Sequence, residues 1–295
     1  MKKLTIFTPT YNRAYCLPEL YESLLVQNKE DFVWMVVDDG STDETKKIID
    51  KWICDGKINI IYIYQQNSGK MSAHNRAVKE CNTELFMCLD SDDKLTDGAV
   101  HKIVNYWNQH GNDCDNLCGI IAPKLIIDKK NDTLSTPYIP QSLTYTTGRG
   151  LYQNGYKGET AMVFKTEILK NFPFPLQENE KFISEISAYD QIDENYVMVT
   201  LDEPLMICKY REDGYSKNIM KVNINNPKGV VFVNLQRQRI INRFSPTLMR
   251  EYIAYSLIAK YGMRKIIFGN KYPLFCLLLF PLGYFDKQRI LKQAK

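Results

Sequence analysis

Several features that mark other protein classes are scarce or missing in this chain of 295 residues. It contains no G-x-G-x-x-G motif, and the glycine that a P-loop requires before Gly69-Lys70 is absent. We therefore do not expect a dinucleotide cofactor or a triphosphate bound by a P-loop. Lys and Arg form no long block, and the net charge is only +4, so the composition gives no indication of nucleic acid binding.

Long hydrophobic runs are also missing. The N-terminal apolar run breaks at Thr8 and Pro9, so it lacks the apolar region of a signal peptide. The eight cysteines are scattered through a chain large enough to be stable without disulfides, and we expect them to be reduced. These features predict a cytoplasmic protein.

The C-terminal run at 272–285 is apolar but shorter than the roughly 20 residues needed to span a bilayer. Lys and Arg lie on both sides of it. Two interpretations remain open. The segment is either a helix on the anionic inner face of the membrane, giving a peripheral membrane protein, or a hydrophobic helix packed on the main domain.

The first third alternates apolar runs with segments whose apolar residues recur every three or four positions. The uninterrupted runs predict strands buried on both faces, and the periodic segments predict helices, so a βα series with a parallel sheet is expected. The pattern loosens after residue 112. We divide the chain into a first half of the main domain (1–112), a second half of the same domain (113–222), and a helical C-terminal extension (223–295).

Polar residues follow each of the four predicted strands of the first third, in the segments 9–13, 38–43, 67–70 and 90–93. Ligands of such sheets bind outside the carboxyl ends of the strands. The fourth segment brings together Asp90, Asp92 and Asp93. The repulsion between their like charges is costly unless a cation or strong hydrogen-bond donors offset it. Carboxylate oxygens suit Mg²⁺ or Mn²⁺.

The same four segments read PTYNR, VVDDGSTDET, NSGKMSAHNRA and LDSDD, and together they resemble the family 2 glycosyltransferases of bacterial polysaccharide synthesis. The resemblance implies an α/β protein of the GT-A fold, with a Rossmann-like mixed sheet flanked by helices. It makes 1–112 the nucleotide-sugar-binding half of this domain and 113–222 the half that binds the acceptor and supplies the catalytic base. It implies inverting, metal-dependent transfer of one hexose from a nucleoside-diphosphate sugar, in the first place a UDP-sugar. The acceptor would be a hydroxyl of a saccharide or of a lipid-linked oligosaccharide.

By resemblance, Asp39 faces the nucleotide base, Asp90 lies near the ribose, and Asp92 binds Mn²⁺ or Mg²⁺ with Asp90 and Asp93 in support. Lys70 neutralises phosphate as a point charge. The expected donor-binding set is Pro9, Thr10, Tyr11, Asn12, Arg13, Asp38, Asp39, Gly69, Lys70, Asn75, Asp90, Ser91, Asp92 and Arg211. The competing interpretation of Asp38, Asp39 and the 90–93 segment is that these acids only cap helices.

The general base of the family is an Asp or Glu in the second half, usually within an ED pair. This chain has FISEISAYD there, which departs from that pattern and supplies Glu185, with Asp190 as the second candidate. A Glu in the first turn of a helix can also be a simple dipole partner. Glu159 is expected to contact the acceptor.

Processive members of the family contain a Q-x-x-R-W motif. The corresponding segment here, QRQRI, lacks the tryptophan, which favours transfer of a single sugar.

Two other functions remain open. A sugar nucleotidyltransferase shares the sheet and a metal-binding carboxylate, but it needs a Gly-rich first loop that TPTYNRAY does not provide. A catalytically inert subunit could keep the nucleotide-sugar pocket and lack the base. The sequence predicts no oligomeric state.

Overall fold

The computed structural model describes residues 2–128, 133–135, 138–140, 142–209, 215–241 and 243–294. The chain forms two compact units. The first comprises Met1–Pro173 with Asn195–Tyr210, and the second comprises Phe174–Glu194 with Arg211–Lys295. The divisions predicted at 112/113 and 222/223 separate segments by their expected roles, whereas the two units are separated by compactness. The predicted divisions therefore stay predictions.

The strands and helices are numbered in chain order. The strands are β1 Leu4–Thr10, β2 Phe32–Asp38, β3 Ile60–Tyr64, β4 Leu85–Cys88, β5 Lys94–Leu95, β6 Leu117–Asp128, β7 Thr133–Ser135, β8 Tyr145–Thr146, β9 Thr160–Lys165, β10 Val197–Thr200 and β11 Met206–Cys208. The helices are α1 Leu17–Leu25, α2 Thr45–Asp55, α3 Lys70–Glu80, α4 Ala99–His110, α5 Gly148–Gln153, α6 Thr166–Asn171, α7 Ile186–Ile192, α8 Tyr215–Asn225, α9 Pro227–Ile240, α10 Pro246–Ile258, α11 Met263–Phe268 and α12 Pro273–Gln293.

The first unit is built on one mixed sheet in the order β3-β2-β1-β4-β9-β6-β10-β8. Strands β1 to β4 are parallel, whereas β9 runs antiparallel to both β4 and β6. Because β9 reverses the direction between its two neighbours, β6 points the same way as β1 to β4. The carboxyl ends of these five strands therefore lie at one edge, together with the start of β9.

The apolar runs form the centre of this sheet because their side chains are buried on both faces. All seven residues of β1 and all seven of β2 are buried. On one side the ring of Tyr21 in α1 stacks on Trp52 in α2 at 4.1 Å between centroids. The predicted βα order of the first third is confirmed, with β1 and β2 extending to Thr10 and Asp38.

The second half departs more from the pattern. The periodic segment 246–268 predicts one long helix, but the chain forms α10 and α11, with Lys260 between them at a φ of +58°. The helical pattern at 180–196 yields only the seven residues of α7. Short strands such as β5 and β8 have two residues each, too few for a periodicity to show.

The second unit contains α7 to α12, and its core lies where α9, α10 and α12 pack together around Met249, Tyr252, Ile253 and Cys276. Gly283 allows α12 to approach α10 closely, since a Cβ there would stand 2.6 Å from Ile253. In the described ranges, no helix combines the length and the apolar character required to cross a membrane.

Candidate functional site

The polar segments after β1, β2 and β3 meet at the edge where these strands end. Thr10 pairs with Asp38 in the sheet register, and Asp38 pairs in turn with Tyr64. The backbone N–H of Asp39 donates to the carbonyl of Thr10 at 2.8 Å. The buried hydroxyl oxygen of Thr10 has no hydrogen-bond partner among the described residues. The edge thus presents a polar group that the described part of the chain leaves unsatisfied.

Hydrogen bonds join the loop after β1 to the loop after β2. The backbone N–H of Asn12 donates to the Ser41 hydroxyl at 2.9 Å, and the Asn12 side-chain oxygen accepts from the Thr42 N–H at 2.7 Å. Asn12 has a φ of +53°, a conformation that asparagine tolerates better than most residues. The Asp43 carboxylate accepts from the N–H of Ala14 at 3.1 Å. The two loops are therefore positioned as one surface.

Asp38 and Gly40 shape the turn after β2. The Asp38 carboxylate accepts from the Ser41 N–H at 2.8 Å and from the Tyr62 hydroxyl at 2.7 Å. Burial and the hydrogen bond to Asp38 raise the pKa of Tyr62. Gly40 has a φ of +88°, and a Cβ there would stand 2.9 Å from the backbone nitrogen of Asn67. Asp38, predicted to bind the donor, thus also closes this turn.

Asp39 connects β2 to the loop that precedes α3. One carboxylate oxygen accepts from the Gln65 amide at 2.7 Å and from the Ser68 N–H at 2.8 Å, and the other accepts from the Gly69 N–H at 2.8 Å. The side chain is buried, with 5% of Asp39 exposed. A carboxylate has roughly four acceptor positions, so about one is left to receive a donor from a bound ligand.

We expect Asp39→Asn to lower the free energy of unfolding by about 1–3 kcal/mol. Whichever way the new amide turns, its NH₂ group faces a donor from Gln65, Ser68 or Gly69. Urea unfolding measures this effect, and Asp55→Asn, at the exposed end of α2, is the matched control with a change below about 0.5 kcal/mol. Equal stability of the two variants would contradict the role of Asp39.

The acidic turn after β4 is met by a lysine from α3. The ammonium of Lys70 lies 2.8 Å and 2.9 Å from the two carboxylate oxygens of Asp90. Burial opposes a charge on Asp90, but Lys70 and then Lys124 lower the pKa of this carboxyl group. Lys70 is only 16% exposed in its side chain, so the pair is held at a defined place. The predicted donor residues Lys70 and Asp90 are therefore in contact.

A second lysine, which the sequence patterns did not single out, meets the same turn. Lys124 of β6 contacts Asp93 at 3.0 Å; the Asp93 side chain is buried, at 5% exposed, and the Lys124 side chain is mostly buried, at 13% exposed. Burial alone would lower the pKa of Lys124, but Asp93 and Asp90 raise it, so the ammonium stays charged. Burial, and then the neighbours Asp90 and Asp92, raise the pKa of Asp93 against the attraction of Lys124. The feature of the sequence that could have identified Lys124 is its position as a charged residue inside the apolar run 117–127.

We expect Lys124→Met to lower the free energy of unfolding by about 3–5 kcal/mol, because it leaves Asp93 buried without its cation. The double variant Lys124→Met, Asp93→Leu should recover part of this loss. In the matched control Lys102→Met, the partner is the exposed Glu203 at 2.6 Å, and the loss should stay below about 1 kcal/mol. Comparable losses in the two single variants, measured by urea unfolding, would show that the buried pair is unimportant.

Other predicted site residues lie at different distances from this edge. The carbonyl of Glu159, just before β9, accepts from the backbone N–H of Lys124 at 3.0 Å, which places the Glu159 backbone beside the lysine that contacts Asp93. Asn75 lies further along α3 and lines a cleft of about 430 Å³ with Leu169 and Phe172. Its neighbour His74 is buried, and burial lowers the pKa of His74 to about 3.

The two candidate bases lie in the second unit. Asp190 of α7 is 3% exposed and accepts from the guanidinium Nε of Arg237 at 3.0 Å. Glu185 precedes α7, is partly exposed, and has a carbonyl that accepts from the N–H groups of Ala188 and Tyr189. Arg211, predicted to bind the diphosphate, lies outside the described residues.

The three carboxylates of the acidic turn differ in their surroundings. Asp93 is committed to Lys124, Asp90 to Lys70, and Asp92 is partly exposed. In the part of the chain that the structure describes, no three His, Cys, Asp or Glu side chains converge as a complete ligand set for a metal ion. A cation here would depend on ligand oxygens in addition to the protein, as Mg²⁺ commonly does with substrate phosphates.

Comparison with protein families matches residues 5–166 to the family described as glycosyl transferase family 2. The chain is 39% identical over 124 residues to a teichoic acid poly(glycerol phosphate) polymerase of Staphylococcus epidermidis, covering 42% of this chain and 16% of that protein. It is 25% identical over 222 residues to the poly(ribitol-phosphate) beta-N-acetylglucosaminyltransferase TarS of Staphylococcus aureus, covering 72% and 36%.

A third relative is the GalNAc(5)-diNAcBac-PP-undecaprenol beta-1,3-glucosyltransferase of Campylobacter jejuni, 27% identical over 187 residues, with 62% of this chain and 56% of that protein covered. The chain thus spans at most just over half the length of these curated relatives.

Solved structures share the fold. TarS residues 1–349 of S. aureus in complex with UDP-GlcNAc superpose with a TM-score of 0.59 at 18% identity, covering 99% of this chain and 89% of that one. The mannosyltransferase PcManGT of Pyrobaculum calidifontis, in complex with GDP-Man and Mn²⁺, gives a TM-score of 0.57 at 17% identity, covering 99% and 83%. These likenesses confirm the expected mixed sheet of the GT-A fold, flanked by helices.

Proposed function

The chain belongs to glycosyl transferase family 2, and we propose that it transfers one sugar from a nucleoside-diphosphate sugar to an acceptor hydroxyl with inversion at the anomeric carbon. The observation that carries the proposal is the convergence of four polar segments at one sheet edge. There the ammonium of Lys70 contacts the carboxylate of Asp90, and Asp39 accepts from the N–H of the preceding residue, Gly69. Asp92 lies in the same turn as Asp90 and is partly exposed. Such an edge offers acceptors for a base and ribose, and a cation for a diphosphate.

The donor is a UDP-sugar in this proposal. Support comes from the fold shared with the UDP-GlcNAc complex of TarS, and from the position of Asp39 at the end of β2. Asp39 would accept from the base N–H with its remaining acceptor position. Thr10, whose buried hydroxyl has no described partner, would hydrogen-bond the nucleoside, and Pro9 and Asn12 would line the same pocket.

The diphosphate would lie between Lys70 and the acidic turn. Asp92, partly exposed and followed by the anchored Asp93, is the residue best placed to bind Mn²⁺ or Mg²⁺, with Asp90 beside it. When bound, the divalent cation offsets the charge that develops on the leaving diphosphate. Asp93 contributes by holding the turn through Lys124 rather than as a ligand. Mn²⁺ in the PcManGT complex supports this choice of cation.

Glu185 is the general base of the proposed reaction. An inverting transfer needs one carboxylate to take the proton of the acceptor hydroxyl as this oxygen attacks the anomeric carbon. Glu185 is partly exposed, whereas Asp190 is buried and already paired with Arg237, which makes Asp190 the weaker candidate. Glu159, whose carbonyl is bonded to the backbone of Lys124, would contact the acceptor.

The acceptor in this proposal is a saccharide or lipid-linked oligosaccharide of cell-surface polysaccharide synthesis. Relatives named for teichoic acid polymers and for a PP-undecaprenol-linked saccharide support that class. We place this chain at the inner face of the membrane, in peripheral contact through its C-terminal helices.

A panel of UDP-, GDP- and CDP-sugars with Mn²⁺ tests the proposal. Each donor is scored by calorimetric binding and by slow hydrolysis to the free sugar. We expect one UDP-sugar to bind and to be hydrolysed in a chelator-sensitive way. Binding of a donor without any turnover favours an inert subunit, and pyrophosphate release from a nucleoside triphosphate and a sugar phosphate favours a nucleotidyltransferase.

A further inference from the structure

The longest helix of the second unit presents an apolar face to solvent. Leu274, Leu278, Pro281 and Phe285 of α12 are spaced by three or four residues, so they lie on one side of the helix. All four are exposed, with Leu274 at 74%, Leu278 at 73% and Phe285 at 67%. We call these four residues the α12 apolar face.

The opposite side of α12 is the one that packs on the protein. Cys276 and Gly283 are buried, and Gly283 lies against Ile253 of α10. Asp286 is anchored to the guanidinium of Arg250 by two hydrogen bonds of 2.8 Å and 2.9 Å. The orientation of α12 about its axis is thus set by packing on one side, which leaves the apolar face outward. α12 is thus packed on α10 along one side and exposed along this face.

Positive charge surrounds the apolar face. Residues 259–294 contain seven Lys or Arg and a single acid, Asp286, which Arg250 already neutralises. On α12 itself, Arg289 and Lys292 continue the line of the apolar face into the last turns, and both are exposed. α11 also carries exposed apolar and basic side chains, namely Phe268, Arg264 and Lys265.

Three lysines around the face lie over tyrosine rings. Lys265 lies 3.5 Å from the ring centroid of Tyr261, Lys271 lies 5.7 Å from Tyr272, and Lys287 lies 5.8 Å from Tyr284. Tyrosine and lysine both combine an apolar body with a polar tip, and they are favoured where hydrocarbon meets water. Lysine is depleted in protein–protein interfaces. These pairs therefore favour a lipid surface over a protein partner.

We propose that the α12 apolar face and its basic rim bind the surface of an anionic phospholipid bilayer, with α12 lying in the plane of the membrane. This inference deepens the proposed function, since it rests on an acceptor at the membrane and specifies the lipid class and the surface that binds it. The apolar side chains would enter the headgroup–acyl boundary while the cations contact lipid phosphates.

Flotation of the full chain with vesicles tests the proposal. Vesicles of phosphatidylcholine alone are compared with vesicles that also contain phosphatidylglycerol, at low and at high salt. We expect binding to the anionic vesicles, weakened by salt. The triple variant Leu274→Ser, Leu278→Ser, Phe285→Ser should bind at least about tenfold more weakly, and Arg289→Gln, Lys292→Gln about tenfold more weakly.

The matched control replaces exposed apolar residues of the first unit, Val26→Ser and Ile53→Ser, and should bind vesicles as the parent does. Far-UV circular dichroism shows that each variant is folded. Because vesicle binding is scored without donor, a failure of the membrane inference is distinct from a failure of the transferase proposal.

Equal binding of the parent and the triple variant, or no binding of the parent to anionic vesicles, would overturn the inference. So would a parent that is a dimer in vesicle-free buffer and becomes a monomer in the triple variant, because a second copy would then cover the face. Binding to neutral and anionic vesicles alike would overturn the role of the basic rim.

Discussion

Replacing Asp92 with asparagine should lower the rate of sugar transfer by about 10³-fold or more. The amide keeps the size of the side chain but loses the charge with which Asp92 would hold a divalent cation against the diphosphate. Stabilisation of a leaving group by a metal contributes several kcal/mol, and each 1.36 kcal/mol is a factor of ten in rate. The rate of donor consumption with Mn²⁺ and the donor identified by the panel measures the effect.

The matched control for this experiment is Asp97→Asn. Asp97 is an exposed acid a few residues further along the same segment, and it should retain the rate of the parent. A chelator should reduce the parent to the level of Asp92→Asn and leave the variant unchanged. If Asp92→Asn turns over like the parent, or if the chelator has no effect on the parent, the metal-assisted mechanism is wrong.

The second large effect is expected at Glu185. Glu185→Gln should reduce transfer by about 10²- to 10⁴-fold, since a glutamine cannot take the proton of the acceptor hydroxyl. The affinity for the nucleotide sugar should stay that of the parent, because the residues proposed to bind it at the sheet edge are unchanged. Initial rates give the first quantity and calorimetry the second. Glu194→Gln, an exposed acid just after α7, is the control that should change neither.

Asp190→Asn separates the two candidate bases. Asp190 is buried beside Arg237, so the substitution should lower the free energy of unfolding by about 1–3 kcal/mol. The folded fraction should still transfer sugar at a measurable rate. A variant that is as stable as the parent yet inactive, together with an active Glu185→Gln, would identify Asp190 as the base instead.

Much of the first unit could be predicted from the sequence because its strands are buried on both faces. Continuous apolar runs such as 32–37 are then unavoidable, and polar residues can only follow where each strand emerges. The strands β1 to β4 and the four polar segments were located in this way. The position of β9 between β4 and β6 was not, because pairing between distant segments leaves no local periodicity.

The burial of the C-terminal helices likewise depends on contacts between distant residues that the sequence pattern does not reveal. Composition identified an apolar, basic segment at 272–285 but left its burial open. Whether such a helix is covered depends on which side meets α10, and this is set by the contact of Gly283 with Ile253 and by the pair of Arg250 with Asp286. These contacts join residues about thirty positions apart in the chain.

The sequence by itself determined the chemistry that this chain carries: a βα series with carboxylates, a lysine and turn residues at the strand ends, in the order of family 2 glycosyltransferases. Only the tertiary structure decided which carboxylates already have partners. Asp93 is neutralised by Lys124, and Asp190 is neutralised by Arg237. The physical reason is that charge pairing and hydrogen bonding act over a few ångströms in space, whatever the separation along the chain.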